Sequence, residues 1–441
     1  VREGSATWIE LGAGKAGEMT QRRFIILCRG IIRAAREFKQ KKIALDFSLT
    51  PTLFKNLKKI SPEELSIITA TAFEMANYEH VSYKTKPKEG WGEVEEILLL
   101  SPTSPSIEAA VTKGQLIGQE INACRELSNM PGGDMTPKAL AAAAKTAIKG
   151  TKATLKVLGR AQMTKLGMGG VLGVAKGSAH EPQFIIMEYF GAPKSQKPVV
   201  LVGKGVTFDT GGLQIKPGDH MYEMHMDMSG GAAVIHAVAL AAKLKLKANV
   251  VGLVPAVENG VTGDAMRPGD ILTSMSGKTI EILHTDAEGR VILADALTYA
   301  KRYNPAVVAD AATLTGAALT AFGEQASAYM TNDEDKIVEF LDLAEASGDY
   351  MWPMPMWEEY DYIVKGRFGD VPNIPAEGNT RYAGVIGGGK FLEVFAKDLG
   401  APWIHVDIAP KMVASSQDNL AKGAAGAPVR FFLALIEKYA G

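Results

Sequence analysis

Thr279-Ile280-Glu281-Ile282-Leu283-His284-Thr285-Asp286-Ala287-Glu288-Gly289-Arg290 is the stretch whose reading decides the fold. Thr279 to Leu283 is β-rich, Val291 to Asn304 is helix-like, and the charged heptapeptide His284 to Arg290 joins them. Read as extended backbone, the heptapeptide points His284, Asp286 and Glu288 to one face. Two like charges side by side persist only with raised pKa values, a cationic partner or a bound metal.

The same alternation continues on both sides. Strands are expected at Phe184 to Tyr189, Val199 to Val202, Asn249 to Val254, Val307 to Asp310 and Trp403 to Asp407, with helices at Gly230 to Leu244 and Val291 to Asn304. Short apolar strands alternating with amphipathic helices predict an α/β fold, a mainly parallel sheet flanked by helices. In such sheets ligands collect at the carboxyl ends of strands, where the charged clusters fall. Further upstream, Thr136 and Pro137 open a helix after the turn-rich stretch from Asn129.

A smaller N-terminal α/β domain precedes this one. It reads as a helix from Met19 to Lys39, a strand at Lys42 to Phe47, a helix from Pro62 to Ala76 capped by Ser61, and a strand at Glu96 to Leu100. Ser101-Pro102-Thr103-Ser104-Pro105 breaks the pattern. The expected organisation is an N-terminal domain over 1–105, a linker helix over 106–128 and a larger domain over 129–441.

Composition narrows the class. In 441 residues, 48 Lys plus Arg nearly balance 49 Asp plus Glu, so charge offers no case for nucleic acid or an anionic membrane as partner. Ala306 to Phe322 is weakly polar but contains Asp310 and reads as a buried strand and turn, not a membrane span. Cys28 and Cys124 are the only cysteines; they form no disulfide framework or zinc spacing and read as core residues in a reducing compartment. Val1 to Ser5 carries neither an initiator Met nor the apolar run of a signal peptide.

The chemistry lies in two clusters. Upstream of the heptapeptide stand Lys204, Asp209 and Lys216 in a glycine-rich turn, then Asp227 just before a helix. Together the clusters hold four carboxylates (Asp209, Asp227, Asp286, Glu288), two lysines and an arginine. Hard oxygen donors in that number suit two divalent cations with a bridging carboxylate and water. The bland alternative is a structural ion-pair network with Asp227 as an N-cap. A phosphate loop fits poorly, because Ser276-Gly277-Lys278-Thr279 has Leu272 where the first Gly should stand and precedes a strand.

On these residues the chain resembles the leucyl aminopeptidase (cytosol aminopeptidase) family of two-metal exopeptidases. The family signature Asn-Thr-Asp-Ala-Glu-Gly-Arg is matched from Thr285 to Arg290, and the block from Lys204 to Asp227 matches in type and spacing. Thr313-Leu314-Thr315-Gly316 and His405-Val406-Asp407-Ile408-Ala409 match as well, and the similarity runs from Asn129 onward. The amino-terminal part resembles the family only in pattern and is short for that domain.

The resemblance implies that Lys204, Asp209, Asp227 and Glu288 hold one metal, and that Asp209, Asp286 and Glu288 hold a second, more exchangeable one. Zinc or manganese is implied. A water activated between the metals would attack the scissile carbonyl, Lys216 would stabilise the oxyanion, and Arg290 would hold a bicarbonate as proton acceptor. Met224, Thr313, Leu314, Gly316, Ala409 and Met412 would line the pocket for a Leu-like first residue of a peptide substrate. The family further implies a cytoplasmic homohexamer. Gly387-Gly388-Gly389-Lys390, before a helix, is compatible with close subunit packing or with an ordinary turn.

His284 departs from the family's Asn. It is expected to orient Asp286 by a hydrogen bond or to act as an adventitious ligand. His225 and His405 flank ligand or pocket positions and read as structural. Two other classes compete with the peptidase: a DNA-binding regulator, which the balanced charge disfavours, and a two-metal phosphoesterase, which uses similar carboxylate sets.

Overall fold

The computed structural model describes residues 2–3, 6–7, 9–46, 55–100, 104–378 and 382–440. Phe47 and 101–103, where a strand end and a break are expected, lie outside the described residues. The chain forms two compact units, one of residues 1–122 with 414–423, the other of 123–413 with 424–441.

In the smaller unit, helix Gln21–Glu37 starts where Thr20 accepts a hydrogen bond from the Arg23 amide. Its buried Phe24, Ile25, Cys28, Ile32 and Ala35 recur at helical spacing and pack on helix Pro62–Asn77. That second helix opens with a capping box: Ser61 Oγ accepts from the Glu64 amide, and the Glu64 carboxylate accepts from the Ser61 amide. Strands Lys42–Asp46 and Glu96–Leu100 pair in parallel.

The larger unit is built on one sheet. In chain order its strands are β1 (Thr154–Leu158), β2 (Gln183–Phe190), β3 (Val199–Gly203), β4 (Gly205–Asp209), β5 (Asn249–Asn259), β6 (Val307–Ala312), β7 (Ser327–Thr331), β8 (Met351–Pro353) and β9 (Trp403–Asp407). Their order across the sheet is β8-β7-β9-β6-β3-β5-β2-β1, and β4 continues beside β5. The centre, β9-β6-β3-β5, is parallel. The flanks differ from a purely parallel sheet: β1, β2 and β5 pair antiparallel in sequence, as do β7 and β9.

Both faces are covered. Gly252 in β5 lies against Val234 and Val238 of helix Ser229–Lys243, whereas Val251 and Leu253 point into a core shared with Val291, Ile292 and Leu293 of helix Glu288–Ala300. Alternation along one strand therefore feeds two helical layers. β3, β6 and β9 are buried along their whole length, which is why they read as continuous apolar runs.

Three expectations need correction. His284 to Ala287 is a turn and Glu288 is the first residue of a helix, so extended alternation does not govern the heptapeptide. Ala306 to Phe322 runs from β6 through a short turn into helix Gly316–Phe322. The triple glycine lies inside helix Gly384–Ala396, where Gly388 approaches Leu314 and Thr315 and Gly389 approaches Met330 of the same chain. Among the described residues no helix is long and apolar enough to cross a membrane.

Candidate metal centre

Strand ends, a helix start and the turns between them deliver the charged residues of the two clusters: Lys216 lies in the loop after β4 and Asp286 in the turn before Glu288. Lys204 links β3 to β4; its amide donates to Ala311 O (3.0 Å) and its carbonyl accepts from Gly231 N (2.7 Å). Asp209 ends β4, and Asp227 closes the 3-10 turn Met224–Met226. Asp227 is not an N-cap, since Met228 holds that position and no side chain caps helix Ser229–Lys243. Glu288 occupies the amino end of its helix, where the dipole favours negative charge. The backbone comes close here: a Cβ on Gly289 would stand 2.6 Å from Lys204 Cε.

The side chains converge. Asp209, Asp286 and Glu288 each offer an oxygen within 4.8 Å of the others. Lys204 Nζ lies 2.7 Å from Asp227 Oδ2 and 2.8 Å from Glu288 Oε1, and it donates to Thr313 O at 3.0 Å. Lys216 Nζ lies 2.8 Å from Asp209 Oδ2 and 2.5 Å from Asp286 Oδ1. Asp209, Asp227 and Glu288 are buried, and Asp286 is partly so. Asp227 Oδ2, Asp286 Oδ1 and Glu288 Oε1 have only a lysine at ion-pair distance, and Glu288 Oε2 has no hydrogen-bond partner among the described residues.

Burial shapes the charge state. It pushes the carboxyls of Asp227 and Glu288 up to about 7 and that of Asp286 up to about 6, with the two lysines pulling the other way. Burial also pulls both ammonium groups down, but the surrounding carboxylates outweigh it and hold Lys204 and Lys216 above the ordinary lysine range. Lys204 is thus an ion-paired ammonium, and coordination by its nitrogen requires loss of that proton. Burial lowers Arg290 to about 10, which leaves it charged at neutral pH. Its Nη1 donates to Asn373 O at 2.8 Å, and its buried Nε has no partner.

Supporting residues that sequence reading missed surround the cluster. Asn259 Nδ2 donates to Asp209 Oδ1 (2.7 Å), which also accepts from the Gly211 amide (2.8 Å). Thr285, fully buried, donates to Gly211 O (2.6 Å), accepts from Gln214 N (2.9 Å) and donates its own amide to Gln214 Oε1 (2.7 Å). His284 Nδ1 accepts from the Asp286 amide at 3.2 Å, so its bond goes to the backbone and not to the carboxylate of Asp286. Burial, then Lys216 and Arg290, lower its pKa. His405 is a core residue bonded to Asp310, whose other oxygen accepts from Trp403 Nε1.

The residues expected to line a pocket sit at neighbouring chain turns. Thr313 Oγ1 donates to Asp227 Oδ1 at 2.6 Å, which links the Thr313 to Gly316 loop to the cluster. Asp407, quoted in the family match but given no role there, accepts from the amides of Leu314 (3.1 Å) and Ala409 (3.1 Å) and from Thr315 Oγ1 (2.6 Å). It therefore ties the Thr313 to Gly316 loop to the Ala409–Lys411 turn, which Met412 follows. Met224 opens the turn that ends at Asp227. Ser276-Gly277-Lys278 is the bend between strands Ile271–Thr273 and Thr279–Glu281, closed by Ser274 N to Lys278 O at 2.9 Å, and is not a phosphate loop.

Fold and cluster define the class: an α/β protein that gathers a carboxylate–lysine centre suited to divalent cations at the carboxyl ends of its strands. Residues 122–433 match the cytosol aminopeptidase family, catalytic domain, and the chain belongs to that family. It is 48% identical to a probable cytosol aminopeptidase of Azoarcus sp. (strain BH72) over 76% of this chain and 65% of that relative. To one from Roseiflexus castenholzii it is 39% identical over 96% of this chain and 85% of the other. A solved structure, the bottromycin maturation enzyme BotP in complex with Mn, superposes with a TM-score of 0.86 at 30% identity, covering 98% of this chain and 90% of that one.

Proposed function

We propose that this chain is a metal-dependent aminopeptidase that removes the amino-terminal residue, Leu-like by preference, from peptides. The observation that carries the reading is the convergence of buried Asp209, Asp227 and Glu288 and partly buried Asp286 on Lys204 and Lys216, in a chain of the cytosol aminopeptidase family. Two divalent ions, zinc or manganese, fit this donor set: it is rich in hard oxygens, and the buried Glu288 Oε2 has no hydrogen-bond partner. The manganese named with BotP supports a divalent ion. Lys204, Asp209, Asp227 and Glu288 would hold one ion, and Asp209, Asp286 and Glu288 the other.

Such ions, when bound, polarise a carbonyl and lower the pKa of water. The remaining work falls to the chain. Lys216 supplies positive charge for the oxyanion that develops at the scissile carbonyl. Arg290, with its partnerless Nε, would hold bicarbonate, a proton acceptor. Asn259, Thr313 and the Gly211 amide fix the carboxylates to which they are bonded. Met224, Thr313, Leu314, Gly316, Ala409 and Met412 receive the first side chain. A cytoplasmic homohexamer belongs to the same proposal.

The test is hydrolysis of Leu-p-nitroanilide by metal-stripped protein with zinc or manganese added back, beside Asp286→Ala and Lys216→Ala. Activity is expected only with metal, and both variants are expected to lose at least about 100-fold in kcat. Full activity of Asp286→Ala, or none from the reconstituted wild type, removes the proposal. Sedimentation of the same sample at the mass of a single 47.1 kDa chain would remove the hexamer.

A further inference from the structure

Asn373 stands far from the heptapeptide in sequence and fully buried beside it in space. It follows the short strand Val371–Pro372, which pairs in parallel with Thr279–Glu281. From that register it makes, among the described residues, six hydrogen bonds to the segment 281–290. Its amide donates to Glu281 O (2.9 Å) and its carbonyl accepts from Arg290 Nη1 (2.8 Å). Its side-chain Oδ1 accepts from the Leu283 amide (2.8 Å) and the His284 amide (3.2 Å). Its Nδ2 donates to His284 O (2.6 Å) and Ala287 O (3.4 Å).

The chemistry of that set is specific to a carboxamide. Two amide donors face one end of the side chain and two carbonyls face the other, so a single group must accept and donate at once. Within the turn itself the backbone offers only Ala287 N to His284 O at 3.2 Å among the described hydrogen bonds. Asn373 therefore spans the start and end of the turn that carries Asp286, and it grips the residue just before Glu288. Through its carbonyl it also fixes the guanidinium of Arg290.

We infer that Asn373 is a positioning residue for the reaction: its carboxamide sets where the carboxylates of Asp286 and Glu288 stand, and its backbone carbonyl sets Arg290. The activity arm of this inference rests on the aminopeptidase reading; the metal arm does not. An outer partner of this kind typically governs metal affinity or turnover by about 10–100-fold.

The test uses the full chain with Asn373→Ala and Asn373→Asp. The Asp variant keeps the shape and the acceptor but turns an oxygen towards the carbonyls of His284 and Ala287. Manganese affinity is measured by competition with a chelating dye, and kcat and KM for Leu-p-nitroanilide are measured at saturating manganese. Both variants are expected to lose about 10–100-fold in manganese affinity or kcat, with KM within about threefold of wild type. Should Asn373→Ala fail to fold, the near-isosteric Asp variant decides alone. Wild-type affinity and kcat in a folded variant, with only the unfolding temperature lowered, would overturn the inference and leave Asn373 a structural residue. A wild type that binds manganese but hydrolyses nothing would sink the aminopeptidase reading, and weakened binding in the variants would then still uphold Asn373.

Discussion

A methyl group on Gly289 would stand 2.6 Å from Cε and 2.7 Å from Nζ of Lys204, and since that lysine end is the movable partner, the lysine must give way. Gly289→Ala also replaces a poor helix former with the best one inside helix Glu288–Ala300, a gain of up to about 1 kcal/mol. The variant is therefore expected to keep its unfolding temperature while losing manganese affinity and at least about 10-fold in kcat. Calorimetry beside metal analysis checks this, and unchanged metal affinity would show that Lys204 has no role at the centre. Which residues carry charge into the site was legible because Lys, Asp and Glu declare themselves by type. The supporting roles of Asn259, Asn373 and Asp407 were not, since they are defined by partners far along the chain. His284 shows the same limit: its departure from the family pattern was readable, its bond to a backbone amide was not.

Helix Glu288–Ala300 joins the site to the core. At its start it presents Glu288 and Arg290; further along, buried Asp295 accepts from the amides of Val171 (2.9 Å) and Met275 (2.7 Å), tying helix Gly169–Val174 and the bend at Met275 to it. Burial pushes the Asp295 carboxyl from its ordinary 3.8 up to about 7, against the pull of those amides. The native chain then binds this proton more tightly than the unfolded one. Its stabilising contribution is present below about pH 4 and lost as pH rises through about 7. Asp295→Asn should remove that part of the pH dependence and cost about 1–3 kcal/mol by turning an NH2 towards an amide donor. Parallel slopes for variant and wild type in unfolding scans across this range would contradict it. At this scale the sequence spoke clearly where local chemistry decides: Thr20 was passed over, but Ser61 and Thr136 cap their helices as read. The short strands β7 and β8 at one side of the sheet were silent, because a short strand is stabilised by the neighbour it pairs with.

For the whole molecule, the centre is a concentration of negative charge held inside a folded core. Four carboxylates face two lysines, and burial drives three of them towards neutrality. Ions that bind only the folded chain stabilise it by mass action, about 2.7 kcal/mol at a free concentration a hundredfold above Kd. Manganese should thus raise the unfolding temperature of the wild type and leave Asp209→Asn, which lacks one of the two carboxylates proposed to be shared, unmoved; an equal rise in both would place the ions elsewhere. The sequence by itself determined the α/β class, the central strands, the family and the charged residues, since periodicity and residue type are local properties carried by the chain. Only the tertiary structure decided the antiparallel flanks, the turn in place of an extended heptapeptide and the ring of amides around the carboxylates. Those depend on strand pairing and hydrogen bonds between segments distant in sequence, whose partners no local pattern names.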